Sequence, residues 1–145
     1  MNWKHVWVML IASLPVSWPL QARGQRQVAA PAASPGPSAA PEYKRGKLLF
    51  IQCRACHELK AGLPDKVGPS LDGLLGRKSG SKAGFGYSPA LLAANITWDK
   101  ATLDRWLQKP SAVVPGNAMA FAGVADPKDR AALLMYIEQE TSSGK

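Results

Sequence analysis

Cys53, Cys56 and His57 fall within five positions in the stretch "CRACHELK", and the chain has no other cysteine. Each chemistry open to this trio makes a demand on the rest of the sequence. Zinc takes four ligands, usually by recruiting a second Cys/His pair; the only other histidine, His5, lies in a stretch that reads as a removable leader. A redox dithiol of the thioredoxin kind needs its Cys-x-x-Cys in a βαβ setting, whereas these cysteines end a helix in an all-helical pattern. A disulfide between Cys53 and Cys56 would close a very small loop and stabilise little. Covalent haem attachment uses all three residues, with thioethers from Cys53 and Cys56 to the porphyrin vinyls and the His57 imidazole beside them as an axial iron ligand.

The opposite axial position can be approached by elimination. With His5 in the leader, no second histidine remains, and the thioethers outside the leader are Met119 and Met135. Met135 lies among Leu133, Leu134 and Tyr136 in a helical pattern, where a methionine serves packing. Met119 sits in an irregular loop, "PGNAMAF", whose backbone is free to aim the sulfur inward. A His57/Met119 pair raises the reduction potential, and a filled coordination sphere leaves no place for a substrate. That combination describes an electron carrier and not an enzyme.

The elements that must position these groups read as helices and long loops, without a convincing strand. "EYKRGKLLFIQCRAC" opens after Pro41 and carries Leu49, Phe50 and Cys53 at helical spacing. "SPALLAA" offers Ser88 as N-cap and Pro89 at the first helical position. "DKATLDRWLQ" places Leu103, Trp106 and Leu107 on one face and stops at Pro110. "DPKDRAALLMYIEQET" can start at Asp126 and Pro127, with Leu133, Tyr136, Ile137 and Glu140 at spacings of three and four. The fold class is therefore all-α: four or so short helices joined by long loops. Loops of about 30 residues (57–86) and about 16 residues (110–125) are hard to hold in so small a domain by side-chain packing alone. A large apolar cofactor would supply the missing core.

Composition divides the 145 residues into three zones. Residues 1–22 carry Lys4 and His5, then the apolar run "VWVMLIASLPVSWPL" and Ala22 at a candidate cleavage point, and read as a secretory signal peptide. The rival is an uncleaved membrane anchor, but a span takes roughly 20 apolar residues, and this run is shorter and holds Pro15 and Pro19. Residues 23–41, "RGQRQVAAPAASPGPSAAP", are too poor in large apolar side chains to form a core and read as a disordered Ala/Pro linker. Residues 42–145 form the haem domain. The net charge of +8 becomes +7 without Lys4, the only charged residue among the first 22. A basic exported domain suggests acidic protein partners or an anionic membrane surface; nucleic acid is an unsuitable partner for an exported chain whose basic residues are scattered.

From about Gly46 to Glu140 the chain resembles a class I cytochrome c of the mitochondrial and purple-bacterial type. The resemblance rests on "CRACH", "KVGPSLDGLLGRKSGSKAGFGYS", "NITWDKATLDRWLQKP", "VVPGNAMAFAG" and "DRAALLMYI". It implies roles that spacing does not supply. Pro69 would accept the second ring N–H of His57 through its carbonyl, fixing the imidazole. Arg77, Tyr87 and Trp98 match donors near a buried haem propionate. Asn117 stands where a threonine helps hold the methionine loop, and Phe121 lies at the haem edge. Gly46 and Phe50 would cross Tyr136.

The sequence also departs from the mitochondrial pattern. Trp106 replaces a tyrosine that donates to the methionine sulfur, so its indole either substitutes as donor or simply packs. Leu91 replaces an asparagine that helps bind an internal water. Gln52, Ser111, Ala112 and Ala118 stand where docking lysines occur, leaving Lys66, Lys78, Lys82 and Lys109 to steer partners. The resemblance implies a monomeric, monohaem electron carrier in the periplasm of a Gram-negative bacterium. Its partners would be redox proteins with acidic docking faces: a quinol-oxidising complex, a terminal oxidase, a reaction centre or a dehydrogenase. A haem protein with a labile Met119 bond that binds gas or reacts with peroxide, and a membrane-tethered electron-delivery module, remain the alternatives.

Overall fold

Proline punctuates this chain, and the helices begin where it does. The computed structural model describes residues 40–142; the residues read as leader and nearly all of those read as linker lie outside them. Six helical segments follow in order: α1 (Pro41–Leu49), α2 (Ile51–Arg54), α3 (Pro89–Ala93), α4 (Lys100–Gln108), α5 (Pro110–Val113) and α6 (Pro127–Ser142). Four of them carry proline as their first residue, where the missing N–H has no intrahelical partner and the fixed φ suits the helix. Helices α1 and α2 abut at Phe50, whose N–H donates to the Gly46 carbonyl at 2.9 Å, so the two form one continuous stretch.

Capping follows the expected chemistry. Ser88 Oγ accepts from Leu91 N–H at 3.3 Å, and Asp126 Oδ1 accepts from the amides of Lys128 and Asp129 at 2.8 and 3.0 Å. Asp99 caps α4 by accepting from Thr102 N–H at 2.7 Å, a cap the sequence reading did not single out. Helix α5 also lies in a segment read as loop. Pro110 starts it, and Val114 N–H closes its single turn on the Pro110 carbonyl at 2.9 Å.

The scaffold is the crossing of α1 over α6, with α4 packed against α6. Glycine makes the crossing possible: a Cβ at position 46 would collide with the Ala132 carbonyl oxygen and lie 2.7 Å from Tyr136 Cβ. Around that point Phe50 and Tyr43 pack on Tyr136 with ring centroids 5.4 and 5.1 Å apart. Leu133, Ile137, Leu103, Leu107 and Trp106 complete a continuous buried cluster. Tyr43 donates to Glu140 Oε1 at 2.6 Å, and Arg45 makes a two-pronged pair with Asp129 at 2.8 and 2.7 Å. Arg130, only 7 % exposed, is satisfied by Asp104 and by the carbonyls of Val124 and Ala125.

Among the described residues no strand forms; a single antiparallel bridge joins Lys78 to Thr97. No helix there is long and apolar enough to cross a membrane.

Candidate functional site

The end of α2 delivers the cysteine and histidine side chains together. Cys56 N–H and His57 N–H both donate to the Cys53 carbonyl, at 3.0 and 2.9 Å, so the helical winding carries just past Arg54 and sets the three residues on one turn. Both thiols are free and half-buried. Burial, with Cys56 adding to it, pushes the Cys53 thiol up to about 11. A redox dithiol needs the opposite, a thiolate stabilised near neutrality.

The imidazole of His57 is held from two sides. Its Nδ1 lies 2.8 Å from the Pro69 carbonyl oxygen. That oxygen can only accept, so Nδ1 carries the proton and Nε2 is left with its lone pair. Burial lowers the ring's basicity, Lys66 nearby adds to that, and the bond to Pro69 opposes it; the net direction favours the neutral imidazole that a metal requires. Against the ring stands Gly68. A Cβ there would overlap His57 Cε1 and lie 2.7 Å from Nδ1, so glycine is the residue that lets the backbone pass so close. Gly68 N–H in turn donates to the Cys56 carbonyl at 2.9 Å, tying the loop back to the cysteine turn.

The Met119 loop is fastened by Asn117. The Asn117 amide nitrogen donates to the Val114 carbonyl at 2.8 Å, and its Oδ1 accepts from Met119 N–H at 3.0 Å. Phe121 N–H closes on the Met119 carbonyl at 3.0 Å. Met119 and Phe121 are half-buried against the core, whereas Met135 lies within α6.

Arg77 and Trp98 are brought together by backbone pairing: Trp98 N–H donates to the Arg77 carbonyl at 2.9 Å, and Gly76 N–H to the Trp98 carbonyl at 2.8 Å. The Arg77 guanidinium donates to the carbonyls of Asp72 and Ser70 at 3.0 and 3.1 Å. Trp98 is buried and meets Trp106 edge-to-face, centroids 5.2 Å apart. Tyr87 instead pairs with Phe85 at 4.8 Å, and among the described residues no hydrogen bond or ring contact joins it to Arg77 or Trp98.

A haem needs a neutral imidazole with a free Nε2, two thiols on the adjoining turn, a thioether and an apolar lining. The first two are met by the groups just described. The lining is met by a set of apolar side chains packed on the core yet only partly covered by protein, among them Leu59, Leu71, Leu75, Leu91 and Ile96. No group of three or more His, Cys, Asp or Glu side chains suited to a bare metal ion occurs among the described residues. The cysteine–histidine turn and the lining fit haem.

Sequence reasoning missed the groups that hold the loop carrying Pro69. Asp65 Oδ1 accepts from Ser70 N–H at 2.8 Å and Oδ2 meets Lys82 Nζ at 3.0 Å. Nothing in residue spacing signals a pair separated by 17 positions. Gly68, placed directly before Pro69, was the one local hint of a close approach. The lysines expected to steer partners divide as well: Lys66 is paired with Glu58 at 2.6 Å and Lys82 with Asp65. Lys78 and Lys109 are exposed and form no ion pair among the described residues.

No protein-family model matches the chain. Individual relatives do. It is 48 % identical over 101 residues to a cytochrome c of Cochliobolus lunatus, covering 69 % of this chain and 94 % of the relative. It is 42 % identical over 104 residues to a cytochrome c-550 of Nitrobacter winogradskyi, covering 72 % and 95 %. It is 41 % identical over 99 residues to a cytochrome c2 of Rhodomicrobium vannielii, covering 68 % and 79 %.

Proposed function

Because the chain belongs to the class I c-type cytochromes, and therefore carries electrons through one covalently attached haem c, we propose that it is an exported carrier whose iron is held between His57 and Met119. Cys53 and Cys56 anchor the cofactor. When bound, it supplies one-electron Fe(II)/Fe(III) chemistry. The observation that carries the axial assignment is the 2.8 Å contact of His57 Nδ1 with the Pro69 carbonyl, which commits one ring nitrogen and leaves the other for the metal.

The remaining residues keep the pocket from rearranging. Asn117 holds the Met119 loop through two hydrogen bonds, and Trp106 and Phe121 pack the methionine side. Arg77, Tyr87 and Trp98 are assigned to the propionates, as polar groups offsetting the burial of a carboxylate. A pocket that retains both axial ligands in both oxidation states needs little nuclear motion per electron.

Location and partners rest on different support. The leader pattern in residues 1–22, together with bacterial relatives named cytochrome c2 and c-550, supports a periplasmic protein. The basic charge supports redox partners with acidic docking faces, met in small, transient interfaces whose encounter rate is set by electrostatics. The free cations Lys78 and Lys109 are assigned more of that steering than Lys66 and Lys82.

The test is carbon monoxide binding by the reduced native protein, paired with stopped-flow oxidation by an acidic redox protein at increasing ionic strength. The carrier reading expects no carbon monoxide complex at neutral pH and a rate that falls with salt. Ready carbon monoxide binding would move the function to gas binding or peroxide chemistry, and a flat salt profile would remove the basic docking face.

A further inference from the structure

One peptide unit, between Pro69 and Ser70, is gripped at both ends. Its carbonyl oxygen accepts from His57 Nδ1 at 2.8 Å, and its N–H donates to Asp65 Oδ1 at 2.8 Å. The other Asp65 oxygen meets Lys82 Nζ at 3.0 Å. A continuous line of hydrogen bonds therefore runs from a lysine through a carboxylate and a peptide to the proposed iron ligand. Asp65 is also well set to remain an anion: Lys82 first and the Ser70 N–H second hold its carboxyl below the ordinary range, with Arg77 nearby.

A carboxylate that accepts a peptide N–H makes a charge-assisted bond and draws the amide proton toward itself. Electron density then shifts along the conjugated N–C–O unit onto the carbonyl oxygen, and bonds in such a chain strengthen one another. The more negative oxygen pulls harder on the His57 Nδ1 proton, which raises the basicity of Nε2, as outer partners of metal-bound histidines do. A stronger nitrogen donor favours the more highly charged metal.

We infer that Asp65 is a positioning residue that tunes this protein's reduction potential through the Pro69–Ser70 peptide, its carboxylate favouring Fe(III) by strengthening the hydrogen bond from His57. The inference rests on His57 as iron ligand. Its specific content is that the effect travels through the peptide and not only through space.

The experiment compares holoprotein potentials for wild type, Asp65→Asn and the double variant Asp65→Asn/Lys82→Gln. Asparagine keeps the shape and an acceptor oxygen for Ser70, so far-ultraviolet circular dichroism should match wild type. Asp65→Asn is expected to raise the potential, several-fold in the Fe(II)/Fe(III) ratio at fixed ambient potential; tenfold corresponds to about 59 mV for a one-electron couple. The double variant has the wild-type net charge and should keep most of the rise. A double variant that returns to the wild-type potential would overturn the relay, because a through-space effect alone cancels there.

A second measurement needs no variant. In the reduced protein, a through-bond coupling between the Ser70 amide nitrogen and the Asp65 carboxyl carbon is expected by nuclear magnetic resonance, and its absence overturns the inference. The underlying reading fails differently: a wild-type protein without a low-spin spectrum removes His57 and Met119 as the ligand pair before any potential is compared.

Discussion

The crossing of α1 and α6 and the loop from His57 to Tyr87 are held by different kinds of contact. At the crossing, buried apolar rings interlock around Gly46, and Leu133 is completely covered. In the loop the leucines Leu59, Leu71 and Leu75 are half-covered, and order comes from side chains that hydrogen-bond the backbone: His57 to Pro69, Asp65 to Ser70, Arg77 to Ser70 and Asp72. Packing gives the first region its own stability. The second is shaped by directional bonds around the His57 ring and the Pro69 carbonyl.

The hardest way to break this division is at Gly46. Valine there must push α1 off Ala132 and Tyr136, and overpacking of this kind costs about 3 kcal/mol. The urea midpoint of the holoprotein should fall sharply, with the cofactor lost only as the scaffold unfolds. A second glycine separates the regions. Gly68→Ala adds a Cβ against the His57 ring, and should leave the helical circular dichroism near wild type while the low-spin absorption spectrum weakens or disappears. If both signals fall together, the two regions are not independent.

Smaller effects sharpen the same contrast. Asp99→Ala removes the side chain that accepts from Thr102 N–H at the start of α4, an N-cap whose loss destabilises a helix; it should lower the thermal midpoint without moving the reduction potential, since α4 belongs to the scaffold. The Tyr43–Glu140 bond sets a pH signature there too. The hydrogen bond to Glu140, then burial, raises the Tyr43 phenol from 10.0 to about 12. A group whose folded pKa is raised contributes stability that is fully present below 10 and is lost as pH climbs toward about 12. Thermal midpoints of wild type and Tyr43→Phe should therefore differ at pH 9 and converge near pH 12. Parallel curves would show that folding does not raise the Tyr43 phenol, and coincident curves that the hydroxyl contributes nothing.

The same division explains what is legible in the sequence. The scaffold was legible because periodicity and capping are local: Leu133, Tyr136 and Ile137 recur at helical spacing, and Ser88, Asp126 and the prolines mark starts. The cysteine and histidine trio was legible because its spacing is itself the chemistry. Asp65 with Lys82 and the carbonyls held by Arg77 were not, since they join residues from separate parts of a loop with no repeating pattern. Helix α5 escaped because one turn after Pro110 is too short to show a period. The single Asp99 cap was masked by the apolar face it precedes. Charge counting also could not show that Lys66 and Lys82 are engaged with Glu58 and Asp65, because a sum of charges does not reveal pairing.

The central claim is an iron held by His57 on one side and Met119 on the other. Absorption spectra of the purified protein, oxidised and reduced, beside Met119→Ala, test it most directly. A low-spin reduced spectrum and a weak far-red band from the sulfur–iron bond are expected, with that band gone in the variant. A wild-type spectrum that is high-spin, or a band that survives Met119→Ala, would contradict it.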